Sequence, residues 1–229
     1  MIDLHAHILP NVDDGSKSLE ESIEMLKIAV SNGVKHQLMT PHVQSTVSKV
    51  DPKAFLDVFN TLKKEVKLQG LPIEIYLGAE VNYRSHLSPD YSTNTLNQSK
   101  YLLIEFSISI ETPIEDIVYD LSREGFIPII AHVERYKYLT LSDYPRLKQA
   151  GALFQINADA VVGKKDKHQK KLCAYLIKEG LVDFVATDCH SKDKRPPNLK
   201  EAYDFLKKTI DSKYLEDLFY NNARPIIAK

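Results

Sequence analysis

The sequence predicts an α/β fold, a closed or nearly closed barrel of seven parallel strands wrapped by helices. Three observations carry this expectation. Short apolar runs alternate with amphipathic helical stretches about seven times along the chain. The apolar runs are nearly continuous, as strands covered on both faces by helices must be. The 229 residues show no linker, low-complexity tract or composition break, so residues 1–229 read as one domain.

The elements follow in order. Ile2-Asp3-Leu4-His5-Ala6-His7 alternates apolar and polar residues at period two, the pattern of a strand. Ser18-Leu19-Glu20-Glu21 is a capping box, and its helix stops at Gly33, where a left-handed residue is wanted. A second strand is expected over 35–40. Asp51 and Pro52 read as N-cap and first helical position of a helix ending at Gly70. A third strand covers 73–81. Residues 84–100 are polar and irregular, a loop with a short helix. The fourth strand is 101–106, followed by a helix over 113–125. The fifth is 127–133, with a helix around 142–150. The sixth is 152–158, with a helix around 168–180. The seventh is 182–190. Helical stretches near 198–210 and 212–222 end the pattern.

Composition narrows the function classes. Lys+Arg 30 against Asp+Glu 31 leaves a formal charge of -1. That balance argues against holding nucleic acid or anionic lipid by bulk charge. Cys173 and Cys189 are too few for a disulfide framework or a cysteine zinc site. No apolar run approaches the ~20 residues of a membrane span. The opening MIDLHAHILP lacks the basic segment of a signal peptide. A cytoplasmic enzyme without stable membrane insertion is expected.

The histidines carry the chemistry. Of the eight, five fall at expected strand ends: His5 and His7, His42, His132 and His190. Glu80, Glu105 and Asp188 share those positions. In a parallel barrel the C-terminal strand ends gather at one face, where sites are built. One histidine near a strand end is more often packing than a ligand. Eight candidate donors at the same end of six strands outweigh that reading. His5/His7 and Asp188/His190 are i, i+2 pairs, so each pair points one way and Ala6 and Cys189 point the other. Asp13-Asp14-Gly15 is a turn that can add one more carboxylate, either Asp13 or Asp14. His36, His86 and His168 read as structural or surface residues. Imidazole and carboxylate donors without thiolate suit Mn, Fe, Zn or Co. Clustered divalent ions favour an anionic substrate, and a phosphate ester fits. Arg135 and Arg195 each follow a candidate ligand by a few residues and suit bidentate phosphate binding.

The stretches MIDLHAHILPNVDDGSKSLEES, TPH, GAEV, YLLIEF, IIAHVERY, INA and ATDCHSKDKRPP lie in order over residues 1–197. On them the chain resembles the polymerase-and-histidinol-phosphatase (PHP) superfamily. Within it, the chain is similar to the bacterial CpsB/YwqE-type manganese-dependent protein-tyrosine phosphatases. The resemblance implies a distorted, TIM-like (β/α)7 barrel of the PHP type and three divalent ions, manganese first, with Fe, Zn, Co or Mg as alternatives. It implies one ion on His5, His7, Glu80 and Asp188. A second would sit on Glu80, Glu105 and His132, and a third on Asp14, His42 and His190. It selects Asp14 over Asp13. It gives Arg135 and Arg195 the phosphate and transition-state contacts, with a metal-bound hydroxide attacking in line. It implies a phosphotyrosine protein as partner, a tyrosine autokinase of capsule or exopolysaccharide regulation. The stretch after His42, VQSTVSKV, and residues 82–98 depart from the relatives.

Rival readings remain at this stage. Histidinol phosphate or another small phosphomonoester is the alternative substrate. Cys189 and Arg195 fit C-x5-R, the loop of thiol phosphatases, but no glycine lies between them to cradle phosphate. A nuclease and a ligand-binding scaffold are further options.

Overall fold

The computed structural model describes residues 1–86, 90–164 and 166–228. Its strands are β1 (Ile2–Asp3), β2 (His36–Met39), β3 (His42–Val43), β4 (Glu74–Leu77), β5 (Glu80–Asn82), β6 (Tyr101–Glu105), β7 (Ile127–Ile130), β8 (Leu153–Asn157) and β9 (Phe184–Ala186). Every pairing among them is parallel, in the orders β1-β2-β4 and β3-β5-β6-β7-β8-β9. A parallel bridge between Ala6 and Cys189 joins the last strand to the first. His7 N donates to Cys189 O and Asp188 N to His5 O, each at 2.9 Å. The seven expected strands are therefore present as staves of one curled sheet.

Three staves are more broken than the sequence suggests. The second splits into β2 and β3 at Thr40-Pro41, where proline offers no ladder donor. The third splits into β4 and β5 at Gly78-Ala79. A Cβ on Gly78 would meet Leu96 Cδ2 at 2.7 Å, so glycine admits the turn Leu96–Gln98 beside the strand. The first stave, expected over 2–7, pairs regularly only over Ile2–Asp3. The Asp3 carboxylate draws in its own chain, accepting from His5 N at 3.5 Å, Thr187 N at 3.0 Å and Thr187 Oγ1 at 2.6 Å. The irregular stretch 84–100 contains two short 3-10 turns, Tyr91–Asn94 and Leu96–Gln98; residues 87–89 lie outside the described residues.

The helices alternate with the strands as expected: α1 (Leu19–Ser31), α2 (Phe55–Leu68), α3 (Ile114–Arg123), α4 (Asp143–Gln149), α5 (Ala158–Val162), α6 (Lys167–Lys178), α7 (Leu199–Leu206), α8 (Ser212–Phe219) and α9 (Arg224–Ile227). Ser18 Oγ caps α1 by accepting from Glu21 N at 3.2 Å. The short α5 and α9 were not anticipated. Neighbouring residues divide between two cores at period two. Leu103 and Ile129 face the barrel interior with Ile2, Leu4, Leu38 and Phe184. Ile104 and Ile130 face the helices with Leu26, Val118, Leu147 and Leu176. Ala223 and Ile226 join the interior cluster, so α9 closes the barrel at the strand starts. Ala6 and Cys189 belong to the outer core, as the alternation requires.

Candidate metal centre

The strand ends opposite α9 bring the nine candidate donors together. His132 and Asp188 adopt left-handed backbone, φ 34 and φ 50. Such conformations cost a non-glycine residue roughly 1–2 kcal/mol. Here they turn the side chains off β7 and β9 into the mouth. His5, His7, Glu80, His132 and Asp188 are almost wholly buried, whereas Asp14 is 45% exposed in its side chain.

Glu80 is the hub. Its Oε2 lies 3.3 Å from His5 Nε2, 3.3 Å from His7 Nε2 and 3.0 Å from His42 Nδ1. Its Oε1 lies 2.9 Å from His132 Nε2, which is 3.4 Å from Glu105 Oε1. Asp188 Oδ1 stands 3.6 Å from His5 Nε2 and 3.5 Å from both His7 Nε2 and His190 Nδ1. Asp14 Oδ1 lies between His42 Nε2 at 3.7 Å and His190 Nε2 at 3.5 Å. Donor atoms in three groups fall within 4.8 Å of one another: His7, Asp14, His42 and His190; His5, His7 and Glu80; His42, Glu80 and Glu105.

Proton positions show what this arrangement lacks. The backbone N–H of His132 donates to Gln155 Oε1 at 2.8 Å, which fixes that atom as the carbonyl oxygen. His5 Nδ1, 3.0 Å from the same oxygen, must therefore carry a proton, and in the neutral ring Nε2 is bare. His7 Nδ1 donates to Asp13 Oδ2 at 2.7 Å, so in the neutral ring its Nε2 is bare as well. The two Nε2 atoms face each other at 3.2 Å, beside a Glu80 Oε2 with no hydrogen-bond partner. With both rings neutral these lone pairs converge on one point, the arrangement a divalent cation takes. The field agrees. Burial alone would raise the Glu80 and Asp188 carboxyls, yet the His5 ring beside both holds them well below the usual range. Against its own burial penalty, the His5 pKa is raised by Glu80 and Asp188.

The flanking arginines dock on the same carboxylates. Arg195 Nη2 donates to Asp188 Oδ2 at 2.6 Å and to Asp188 O at 2.9 Å. Arg135 Nη1 lies 3.8 Å from Glu105 Oε1. Both side chains are 33% exposed.

Three supporting residues, Gln155, Asn157 and Asn82, lie outside the sequence reading, and Asp13, an alternative ligand there, takes a supporting place instead. Asp13 faces away from the donor cluster and orients His7, while Asp14 faces His42 and His190; the DDG turn thus supplies both functions. Gly15 permits it, since a Cβ there would meet His7 O at 2.1 Å. Gln155 Nε2 donates to Asn157 Oδ1, and Asn157 Nδ2 to Asp188 Oδ2, each at 2.8 Å. Asn82 Nδ2 holds Glu105 Oε2 at 2.8 Å. The available signal was Gln155 and Asn157 at i, i+2 inside the apolar run ALFQINA. His36 binds Tyr76 OH at 3.1 Å, and His86 and His168 lie in a turn and at a helix start; none joins the site. Cys189 is fully buried in the outer core and burial pushes its thiol pKa well up, which removes the thiol-phosphatase alternative.

A family model for capsular polysaccharide synthesis, CpsB/CapC, matches residues 1–228. The chain belongs to the CpsB/CapC family. The tyrosine-protein phosphatase CpsB of Streptococcus agalactiae is 34% identical over 241 residues, 99% of this chain and 98% of that one. The tyrosine-protein phosphatase YwqE of Bacillus subtilis is 34% identical over 218 residues, 93% and 86% of the two chains. The solved YwqE and CpsB structures, from Bacillus subtilis and Streptococcus pneumoniae, are of metal-dependent tyrosine phosphatases. The match to them has a TM-score of 0.92 and 32% identity, covering 100% of this chain and 95% of that one. In this CpsB/CapC member the mouth is a cavity of about 190 Å³ whose walls include Asp14, Glu80, Glu105, Asp188 and both arginines. Among the described residues no helix is long and apolar enough to cross a membrane.

Proposed function

We propose that this chain hydrolyses phosphotyrosine in proteins, using three divalent ions, manganese first among them, held at the barrel mouth. His5, His7, Glu80 and Asp188 would hold one ion, Glu80, Glu105 and His132 a second, and Asp14, His42 and His190 a third. When bound, such ions polarise phosphoryl oxygens and lower the pKa of water.

The chain's own residues do the rest. Asp13 and Gln155 fix the tautomers of His7 and His5, so both rings present lone pairs. Arg135 and Arg195 bind the phosphoryl oxygens. A guanidinium has five N–H donors, and Asp188 occupies only one nitrogen of Arg195. Asp14, Glu80, Glu105 and Asp188 all face histidine or arginine, which leaves no obvious acid for the leaving group. That suits a phenol, which at pKa ~10 departs without full protonation. The substrate is a phosphotyrosine protein of capsule or exopolysaccharide synthesis, with a tyrosine autokinase as expected partner.

The observation that carries this reading is the convergence of His5 Nε2 and His7 Nε2 on Glu80 Oε2, with each ring's Nδ1 engaged elsewhere, in a chain aligned end to end with tyrosine phosphatases. Metal-stripped protein, reloaded with Mn, Fe, Zn, Co or Mg, tests it on phosphotyrosine peptide, phosphoserine peptide and histidinol phosphate. Metal-dependent release from phosphotyrosine alone is expected. Faster release from histidinol phosphate moves the reading to a small-molecule phosphatase, and no metal-dependent release ends it.

A further inference from the structure

A second cavity opens directly from the metal centre. It measures about 540 Å³ and lies between the loops that follow β5 and β6. Glu105 and Arg135 line both this cleft and the mouth, so a molecule with its phosphate at Arg135 can extend into it. A dry cavity of ~150 Å³ already accepts benzene. The cleft therefore has room for a tyrosine ring and a neighbouring side chain, and a small phosphomonoester leaves much of it unfilled.

One side of its wall is apolar and held in place. Tyr83 and Phe106 pack with ring centroids 5.5 Å apart. Beyond them stand Ile108 and Ile110, 46% and 69% exposed. Single exposed hydrophobic residues need no explanation, but two on one loop at the rim of a cleft continuous with the mouth offer an apolar contact to whatever enters it. Ser107 Oγ accepts from Ser109 N at 3.3 Å and Ile110 N at 3.0 Å. Phe106 N donates to Tyr136 OH at 3.0 Å, which fixes the start of the same loop. The isoleucines are thus presented without much ordering cost on binding. The cleft's charged and titratable side chains, Arg84, His86, Glu105, Glu111 and Arg135, are of mixed sign. No single sign of charge dominates the cleft, and the isoleucines give one stretch of its rim an apolar character.

We infer that this cleft reads the polypeptide beside the phosphotyrosine, seating an apolar neighbouring side chain against Ile108 and Ile110. The inference rests on the phosphotyrosine reading above. Its test uses the manganese-loaded full chain and an Ile108→Asn/Ile110→Asn double variant, both changes at exposed positions. The substrates are phosphotyrosine peptides with Leu or Ser next to the phosphotyrosine on either side, and phenyl phosphate. The native chain is expected to prefer one Leu peptide roughly tenfold in kcat/KM, through KM, and the variant to lose that preference while phenyl phosphate turnover stays within about twofold. An unchanged preference in the variant, no preference in the native chain, or an equal fall on phenyl phosphate overturns the cleft assignment alone. No release from any phosphotyrosine peptide by the native chain overturns the phosphotyrosine reading, and this inference with it.

Discussion

At the scale of single residues, the site depends on side chains that would never touch an ion. Asp13 shows why. Its Oδ2 accepts from His7 Nδ1 at 2.7 Å and from His42 N at 3.1 Å, and its Oδ1 accepts from Gly15 N at 2.9 Å. One carboxylate thus sets the tautomer of one candidate ligand, the backbone of another and the turn that carries Asp14. Asp13→Asn keeps an acceptor but removes the charge that makes the imidazole a strong donor to metal. Changes of this kind cost roughly 10–100-fold in metal affinity. Titration of stripped Asp13→Asn protein with manganese should show that loss while unfolding of the metal-free form changes little. Affinity equal to the native chain's would reduce Asp13 to a turn residue. The choice between Asp13 and Asp14 is a residue-scale fact that composition and spacing leave open. Both aspartates suit the turn, and only the fold decides which carboxylate meets His42 and His190.

At the scale of elements, the barrel is closed at one end by chemistry and at the other by packing. Helix α9 contributes Ile226 to the interior cluster, beside Ala223 just before it, and Asn97 Nδ2 donates to Ile226 O at 3.0 Å. Ile226 is 1% exposed. Ile226→Ala should destabilise the chain by about 2–5 kcal/mol, the usual range for truncating a buried isoleucine. Because α9 sits at the strand starts, the folded variant should turn over substrate at the native rate; urea unfolding and phosphate release measure the two effects. Lost activity with unchanged stability would contradict this separation. The same element shows where the sequence stops being legible. Periodicity marks all seven staves because each buries residues on both faces. It is silent on α9, whose four residues make no period and whose place is decided by a distant interior. It is silent too on the breaks at Pro41 and Gly78, since the run through Gly78 reads as continuous while Leu96, brought in by the fold, occupies the space beside it. Gln155 and Asn157 were visible as polar residues within an apolar run. Carboxamides have no chemistry that names their role, and only their bonds to His5 and Asp188 supply it.

At the scale of the whole molecule, the formal charge of -1 conceals a division. Four carboxylates, Asp14, Glu80, Glu105 and Asp188, are gathered with five histidines at one end of the barrel, where Glu80 and Asp188 are fully buried or nearly so. Buried charges are costly without partners, so the metal-free mouth opposes folding and a filled one favours it. The donors come from the ends of all the staves except the sixth, whose Asn157 braces Asp188. An ion bound there therefore ties together strands far apart in sequence, and an unfolded chain cannot reproduce the site. Ligand that binds only the native state stabilises by about 2.7 kcal/mol at one hundred times its dissociation constant. For a chain of this size each kcal/mol moves Tm by roughly 2–4 °C, so one filled site is worth roughly 5–11 °C. Calorimetry of stripped protein across a manganese series should show Tm climbing with the logarithm of free metal. Glu80→Ala removes the shared carboxylate and should flatten that climb. A Tm indifferent to manganese would mean that the cluster is held together by protons and hydrogen bonds alone, and the three-ion reading would fail whatever the enzyme's activity.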